Sequence, residues 1–172
     1  MKSLFRNAAR VAIALVVVLG AGCSKGEVAS AAAPGPQTAG AVILDVHKSP
    51  TCGCCESWIE HVEADGFETV SHHPTDLDTL KLDNGIARNY QSCHTAISRD
   101  GYVFEGHVPA RVIRQFLAAP PKDALGLAVP GMPIGSPGME MDNRFSSYQV
   151  LLLKADGSSE VFAEIKTPQQ QY

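Results

Sequence analysis

The chain has 172 residues, 45 % of them hydrophobic, and a formal net charge of −4, which is one domain's worth of ordinary globular composition. Lys2, Arg6 and Arg10 stand in the first 22 residues with no acid beside them; without them 11 basic residues face 18 acidic ones, a balance of −7. That acidity argues against a nucleic-acid binder, which needs a basic face. No serine triad, P-loop or paired-carboxylate signature supports hydrolase or nucleotide chemistry.

Residues 1–23 read as an export signal. A basic start leads into the apolar run Val11 to Leu19 and then Gly20-Ala21-Gly22-Cys23, too short a run to span a bilayer as a mature helix. Small residues before a cysteine resemble the lipobox of bacterial lipoproteins, although Leu19 stands four residues before Cys23 where three is usual. Lipidation of Cys23 is therefore expected, with the mature protein in the periplasm and anchored to a membrane. Residues 24–40 are rich in Ala, Gly, Pro and Ser without periodicity and read as a disordered linker. The folded domain is expected over 41–166.

Within that domain Ala41–His47 reads as a buried strand, ended by Ser49-Pro50. After Cys52-Gly53-Cys54-Cys55, the residues Trp58, Ile59 and Val62 mark the apolar face of a helix that Gly66 ends. Phe67–Ser71 makes a second strand. Thr75 or Asp76 caps a short helix carrying Leu77, Leu80 and Leu82, and Asp83-Asn84-Gly85 turns the chain. Cys93–Ser98 and Tyr102–Glu105 form a hairpin around Arg99-Asp100-Gly101. Pro109 opens a helix buried through Val112, Ile113, Phe116 and Leu117, and Pro120-Pro121 stops it. Residues 122–147 read as one long Gly/Pro-rich loop, of a length that in compact domains is functional or disordered. Tyr148–Lys154 and Glu160–Lys166 flank Ala155-Asp156-Gly157-Ser158 as a C-terminal hairpin, and 167–172 form a polar tail. This order, with thiols where the first strand meets the first helix, resembles the thioredoxin-like fold: an α/β domain with a central mixed sheet flanked by helices.

Setting Cys23 aside leaves Cys52, Cys54, Cys55 and Cys93. Two disulfides are the plain expectation for four cysteines in an oxidising compartment. Three cysteines within four residues, however, close very little chain, and a bridge between the neighbours Cys54 and Cys55 would strain the backbone. Partial positive charge at a helix start favours thiolate over thiol, which serves metal binding and redox attack alike. Cys54 separates the two chemistries. A dithiol exchanger needs only Cys52 and Cys55, whereas a third thiolate enlarges a soft donor set suited to Cu(I), Zn(II) or iron–sulfur clusters. Bridging thiolates, moreover, can hold more than one Cu(I) ion.

Methionine usage points the same way. Apart from Met1, all methionines (Met132, Met139 and Met141) lie in the long loop. Thioether is a neutral soft donor for Cu(I) and of little use to zinc, so Met132 and Met139 are candidate ligands or a lid over the site. Cys93-His94 falls where thioredoxin-like folds usually carry a cis-proline and can close the donor set from the opposite side. His94 fits a hydrogen-bonding role as readily as ligation, and His107 is a further candidate ligand. His47, His61, His72 and His73 read as surface or loop residues.

The segments Lys48–Trp58, Ser92-Cys93-His94-Thr95-Ala96, Glu105-Gly106-His107-Val108-Pro109 and Val129–Glu140 resemble the signature blocks of the CopG-type family, small exported bacterial proteins associated with copper resistance. The resemblance covers roughly residues 41–165. It implies a thioredoxin-like fold, copper bound at the cysteine motif and a part in periplasmic copper handling. The expected function is thus an exported protein holding Cu(I), as a multi-copper thiolate cluster, on Cys52, Cys54, Cys55 and Cys93, with Met132, Met139, His94 and His107 as outer donors. Other periplasmic copper-handling proteins are the expected partners. The alternatives are a periplasmic thiol–disulfide oxidoreductase using Cys52 and Cys55, and a zinc-stabilised structural module. Any turnover would be copper- or thiol-dependent oxidoreduction.

Overall fold

The computed structural model describes residues 41–172; the expected export signal, Cys23 and the linker to residue 40 lie outside the described residues. Seven strands form one mixed sheet. In chain order the elements are β1 (Ile43–Lys48), α1 (Gly53–Ala64), β2 (Glu68–His72), α2 (Leu77–Asp83), β3 (His94–Ser98), β4 (Val103–Glu105), α3 (Ala110–Ala118), β5 (Ala124–Ala128), β6 (Tyr148–Lys154) and β7 (Ser159–Ile165). The strand order is β2-β1-β3-β4-β5-β6-β7. β1 runs parallel to β2 and β4 parallel to β5, and every other neighbouring pair is antiparallel. Among the described residues no helix is long and apolar enough to cross a membrane.

One face of the sheet carries the main core. β1 alternates so that Leu44, Val46 and Lys48 are buried while Asp45 and His47 stay half-exposed, the period-2 pattern of a sheet with one covered face. Trp58, Ile59 and Val62 of α1 and Val112, Ile113 and Phe116 of α3 pack with Leu44, Val46, Ala96, Phe104, Leu127 and Val150. Ile86, Val103, Ala128 and Leu153 form a smaller cluster of their own. Gly66 closes α1 at φ +89, and the Asp76 carboxylate accepts from Thr79 N at 2.9 Å to start α2.

Three expectations need correction. The stretch 122–147 is not one loop, because Ala124–Ala128 forms β5 in the middle of the sheet. A strand buried on both sides has no polar alternation to reveal it. Its Gly126 looks like a breaker, yet a Cβ there would stand 1.8 Å from the Val103 carbonyl oxygen, so close strand approach requires the glycine. The residues read as a polar tail instead form a turn of 3-10 helix at Pro168–Gln171, capped by Thr167. Gln171 is buried, accepting from the Tyr148 hydroxyl at 2.5 Å and donating to the Gly135 carbonyl at 3.0 Å. Polar residues can bury when every donor and acceptor finds a partner. Finally, the side chain that α2 buries is Lys81, whereas Leu82 is exposed. The tertiary ion pair described below overrides the leucine pattern.

Candidate metal centre

The four cysteines meet where β1, α1 and β3 come together. β1 ends at Lys48, the chain turns through Ser49 and Pro50, and Cys52 becomes the N-cap of α1 with its N–H donating to the Ser49 carbonyl at 3.2 Å. Cys54 and Cys55 follow in the first helical turn, so all three sulfurs stand at the positive end of a 12-residue helix. Cys93 comes in from the loop that leads into β3. The sulfurs of Cys52, Cys54, Cys55 and Cys93 all lie within 4.8 Å of one another.

Cys52 and Cys55 are joined in a disulfide, while Cys54 and Cys93 are free. The reading of all four as thiolates concerns the reduced protein; here two of the four sulfurs are bridged. Positions i and i+3 at a helix start bring the two Cα atoms to 5.3 Å, within the span a disulfide needs. Cys54 Sγ stands 3.5 Å from Cys52 Sγ, and Cys55 Sγ lies 3.9 Å from the Cys93 carbonyl oxygen. The centre is therefore in its oxidised form, with two thiols left beside one bridge.

Cys93 belongs to a second group as well. Its sulfur is 3.0 Å from His107 Nε2 and 3.3 Å from His94 Nδ1, and the three ligand atoms again lie within 4.8 Å of one another. His107 is fully buried, and its Nδ1–H donates to the Pro137 carbonyl at 2.7 Å. That bond fixes the tautomer, leaving a lone pair on Nε2 directed at Cys93. His94 is fully buried between Trp58, with ring centroids 4.4 Å apart, and His107, at 5.1 Å edge-on. Its Nε2 is a buried polar atom without a hydrogen-bond partner, a condition that folded proteins rarely leave without a use.

The electrostatics keep the second group neutral. Burial pushes the Cys93 thiol up to about 12, with the nearby Cys54 sulfur adding to the shift. Burial likewise holds His94 well below the ordinary imidazole value, with further depression from His107, Lys81 and Lys48. Burial also lowers His107, opposed by its bond to the Pro137 carbonyl. Two neutral imidazoles and a half-buried thiol are the protonation states from which metal ligation starts, and the thiol would release its proton to solvent as its sulfur took up an ion. The donor set fits a soft ion: up to four sulfurs, two neutral nitrogens and no carboxylate among the clustered ligand atoms.

The loop after β5 reaches over this centre and is tied down at several points. Gly131 N donates to the Gln91 carbonyl at 3.2 Å, and Ser92 Oγ donates to the Gly131 carbonyl. A Cβ on Gly138 would stand 2.6 Å from Trp58 N and 2.7 Å from the Cys54 carbonyl, so the loop rests directly on the first turns of α1. Of the expected methionine donors, Met139 is half-buried beside Gly138, whereas Met132 is 53 % exposed. Met141 is exposed and turned toward the Arg144 guanidinium. A groove of about 500 Å³ lined by Ser57, His61, Gly138 and Glu140 borders the site and contains none of the four cysteines.

Among the histidines read as surface residues, His61 does more: its Nε2 accepts from Ala110 N at 3.0 Å and so caps α3. His72 pairs with Asp45 at 2.8 Å and stacks on His47, and His73 meets the Lys48 carbonyl at 3.2 Å. None of these four joins the cysteine groups. The residues that pattern reading missed are the buried charges around the centre. Lys48 is fully buried against Glu56 at 2.5 Å and the Ser49 carbonyl at 3.3 Å, while Lys81 and Glu105 pair at 2.5 Å. Glu105 carried a signal, an acid inside the apolar run Tyr102–Val108. Lys81, on a short charged helix, carried none.

The site sits in an α/β domain that known structures share. A family model described as a protein of unknown function, DUF411, matches residues 90–139, which include Cys93, His94 and His107. Two solved structures of a copper resistance protein copG, forms 2 and 1, are each 43 % identical with a TM-score of 0.69. Form 2 matches over 73 % of this chain and 98 % of its own, and form 1 over 74 % and 99 %. Among proteins with curated descriptions no match is found. The chain belongs to the CopG family.

Proposed function

We propose that this protein is an exported copper-binding protein of a thioredoxin-like fold that holds Cu(I) on Cys52, Cys54, Cys55 and Cys93 once the Cys52–Cys55 bridge is reduced. One observation carries the reading: four cysteine sulfurs lie within 4.8 Å of one another, and one of them is also within that distance of two histidine nitrogens. Thiolates are bridging ligands, so a group of this size suits more than one Cu(I) ion. Cys93, common to both groups, is the bridging residue, and His94, His107, Met139 and Met132 are the outer donors. The thioredoxin-like reading is supported by the order β2-β1-β3-β4, with β1 parallel to β2, β3 antiparallel to β1 and β4, and α1 springing from the end of β1.

The disulfide favours a redox component in the same site. Thiol–disulfide exchange with an external disulfide passes two electrons from the Cys52 and Cys55 thiolates to that disulfide, which leaves as two thiolates; it forms the Cys52–Cys55 S–S bond and removes two of the four sulfur ligands. Reduction restores them, so copper is held by the reduced protein and released on oxidation. Detoxification or delivery of copper in the periplasm is the physiological role this chemistry suits, with other copper-handling proteins as exchange partners. Export and a lipid anchor at Cys23 complete the proposal and rest on the residue pattern of 1–23.

Reduced chain loaded anaerobically should retain Cu(I) against a chelator of moderate affinity, and X-ray absorption should report sulfur-dominated ligation with a short copper–copper vector. Complete loss of copper to the chelator rejects the proposal. The seated loop gives a finer check. Gly138→Ala places a Cβ into the Cys54 carbonyl and Trp58 N at a φ of +81 that side chains rarely adopt. It should lift Pro137 from His107 and weaken Cu(I) binding about tenfold or more, the scale of losing a ligand-orienting hydrogen bond. A variant that binds as tightly as the wild type would detach the loop from the site.

A further inference from the structure

We propose that Glu105 is a positioning residue for Cys93: one buried carboxylate sets where the Cys93-His94 corner stands opposite the cysteine turn. The purpose of this device rests on the copper reading above; its geometry does not. Glu105 is fully buried at the end of β4. Its Oε1 accepts from Ser92 N at 2.6 Å and Lys81 Nζ at 2.5 Å, and its Oε2 accepts from Thr95 Oγ1 at 2.6 Å. Lys81 Nζ also donates to Thr95 Oγ1 at 3.0 Å. The carboxylate therefore grips the residue before Cys93 and the residue after His94.

The same strand end extends the grip. Gly106 N donates to the His94 carbonyl at 2.9 Å, and the next residue, His107, directs Nε2 at Cys93 Sγ. Cys93 and His107 are thus referred to one anchor. A buried ion pair is a poor means of adding stability, because desolvating both charges offsets their attraction. Three donors converging on one carboxylate do fix geometry, since each bond is short and the carboxylate itself is fully buried. In thioredoxin-like folds a cis-proline usually occupies this corner; here the corner is His94, and a side-chain clamp holds it.

The test uses the full chain with Cys52–Cys55 oxidised and follows iodoacetamide labelling of Cys93 and Cys54 peptide by peptide. Glu105→Asp keeps the charge but withdraws the carboxylate by one methylene. The double variant Lys81→Met/Glu105→Leu removes the pair without stranding a buried charge. Cys93 labelling is expected to rise about fivefold or more in either variant as the corner opens, with Cys54, the internal control, unchanged. Cooperative thermal unfolding identifies the variants that are folded, and whichever of the two folds decides. A smaller rise in Cys93 labelling, or an equal rise at Cys54, overturns the proposal. In the reduced state the same variants should bind Cu(I) about tenfold more weakly. If the wild type takes up no copper, the copper reading fails, while the labelling ratio still judges the clamp.

Discussion

Cys93→Ser is expected to strip the centre of most of its copper. The Cys93 sulfur is the one atom shared by the four-cysteine group and the Cys93-His94-His107 group, so its loss removes the donor that joins them. Serine nearly matches the thiol in size and leaves the neighbouring imidazoles without a clash, so folding should persist. Even an outer-sphere partner of a metal ligand is worth about tenfold to hundredfold in affinity, and a shared ligand should exceed that. Copper per chain after anaerobic loading should fall by at least half, and competition with a colorimetric Cu(I) chelator should show affinity reduced more than about hundredfold. The competing reading separates cleanly. A dithiol exchanger working through Cys52 and Cys55 would keep its turnover in this variant. Unchanged copper stoichiometry in Cys93→Ser would remove the cluster from consideration.

Metal-free protein should lose stability steeply as the pH falls below about 6.5. His94 and His107 are fully buried, and both are held below the ordinary imidazole value, chiefly by burial. In the unfolded chain they take up protons near pH 6.5, while in the folded chain they stay neutral until a lower pH. The unfolded state thus binds more protons across that window, and stability must drop as the pH drops through it. His94, the more strongly depressed, should contribute roughly 1 kcal/mol per pH unit, with His107 adding to the slope. Denaturant unfolding at about pH 7.5, 6 and 5 measures it. His94→Phe, which keeps a ring against Trp58, should flatten the curve. A stability that is level across this range would mean that both rings take up protons in the folded state.

Much of this protein was legible before folding because its signals are local. The spacing of Cys52, Cys54 and Cys55 at a strand-to-helix junction, the apolar stripe Trp58-Ile59-Val62, the turns at Arg99-Asp100-Gly101 and Asp156-Gly157 and the methionine-bearing loop are patterns within a few residues. Each follows from backbone periodicity or turn chemistry that neighbours alone dictate. They place β1, α1, β3, β4, α3 and the last hairpin to within a few residues. They also mark the four cysteines and His94 and His107 as the donors to watch.

Contacts between distant parts of the chain decided the rest. β5 had no local signature, since a strand covered on both sides is defined by its partners, and its Gly126 is explained only by Val103 across the gap. Which cysteines pair depends on how α1 presents their sulfurs, and the neutrality of His94 depends on its burial and on His107, Lys81 and Lys48 arriving from other parts of the chain. Lys81 looks like a solvated charge along the chain, and Glu105 stands out only as an acid in an apolar run; the two become a buried clamp only when α2 meets β4. Sequence order specifies donor chemistry because ligand type is a property of single residues. Position, burial and protonation are properties of neighbours, and for this centre those neighbours lie far away in the chain.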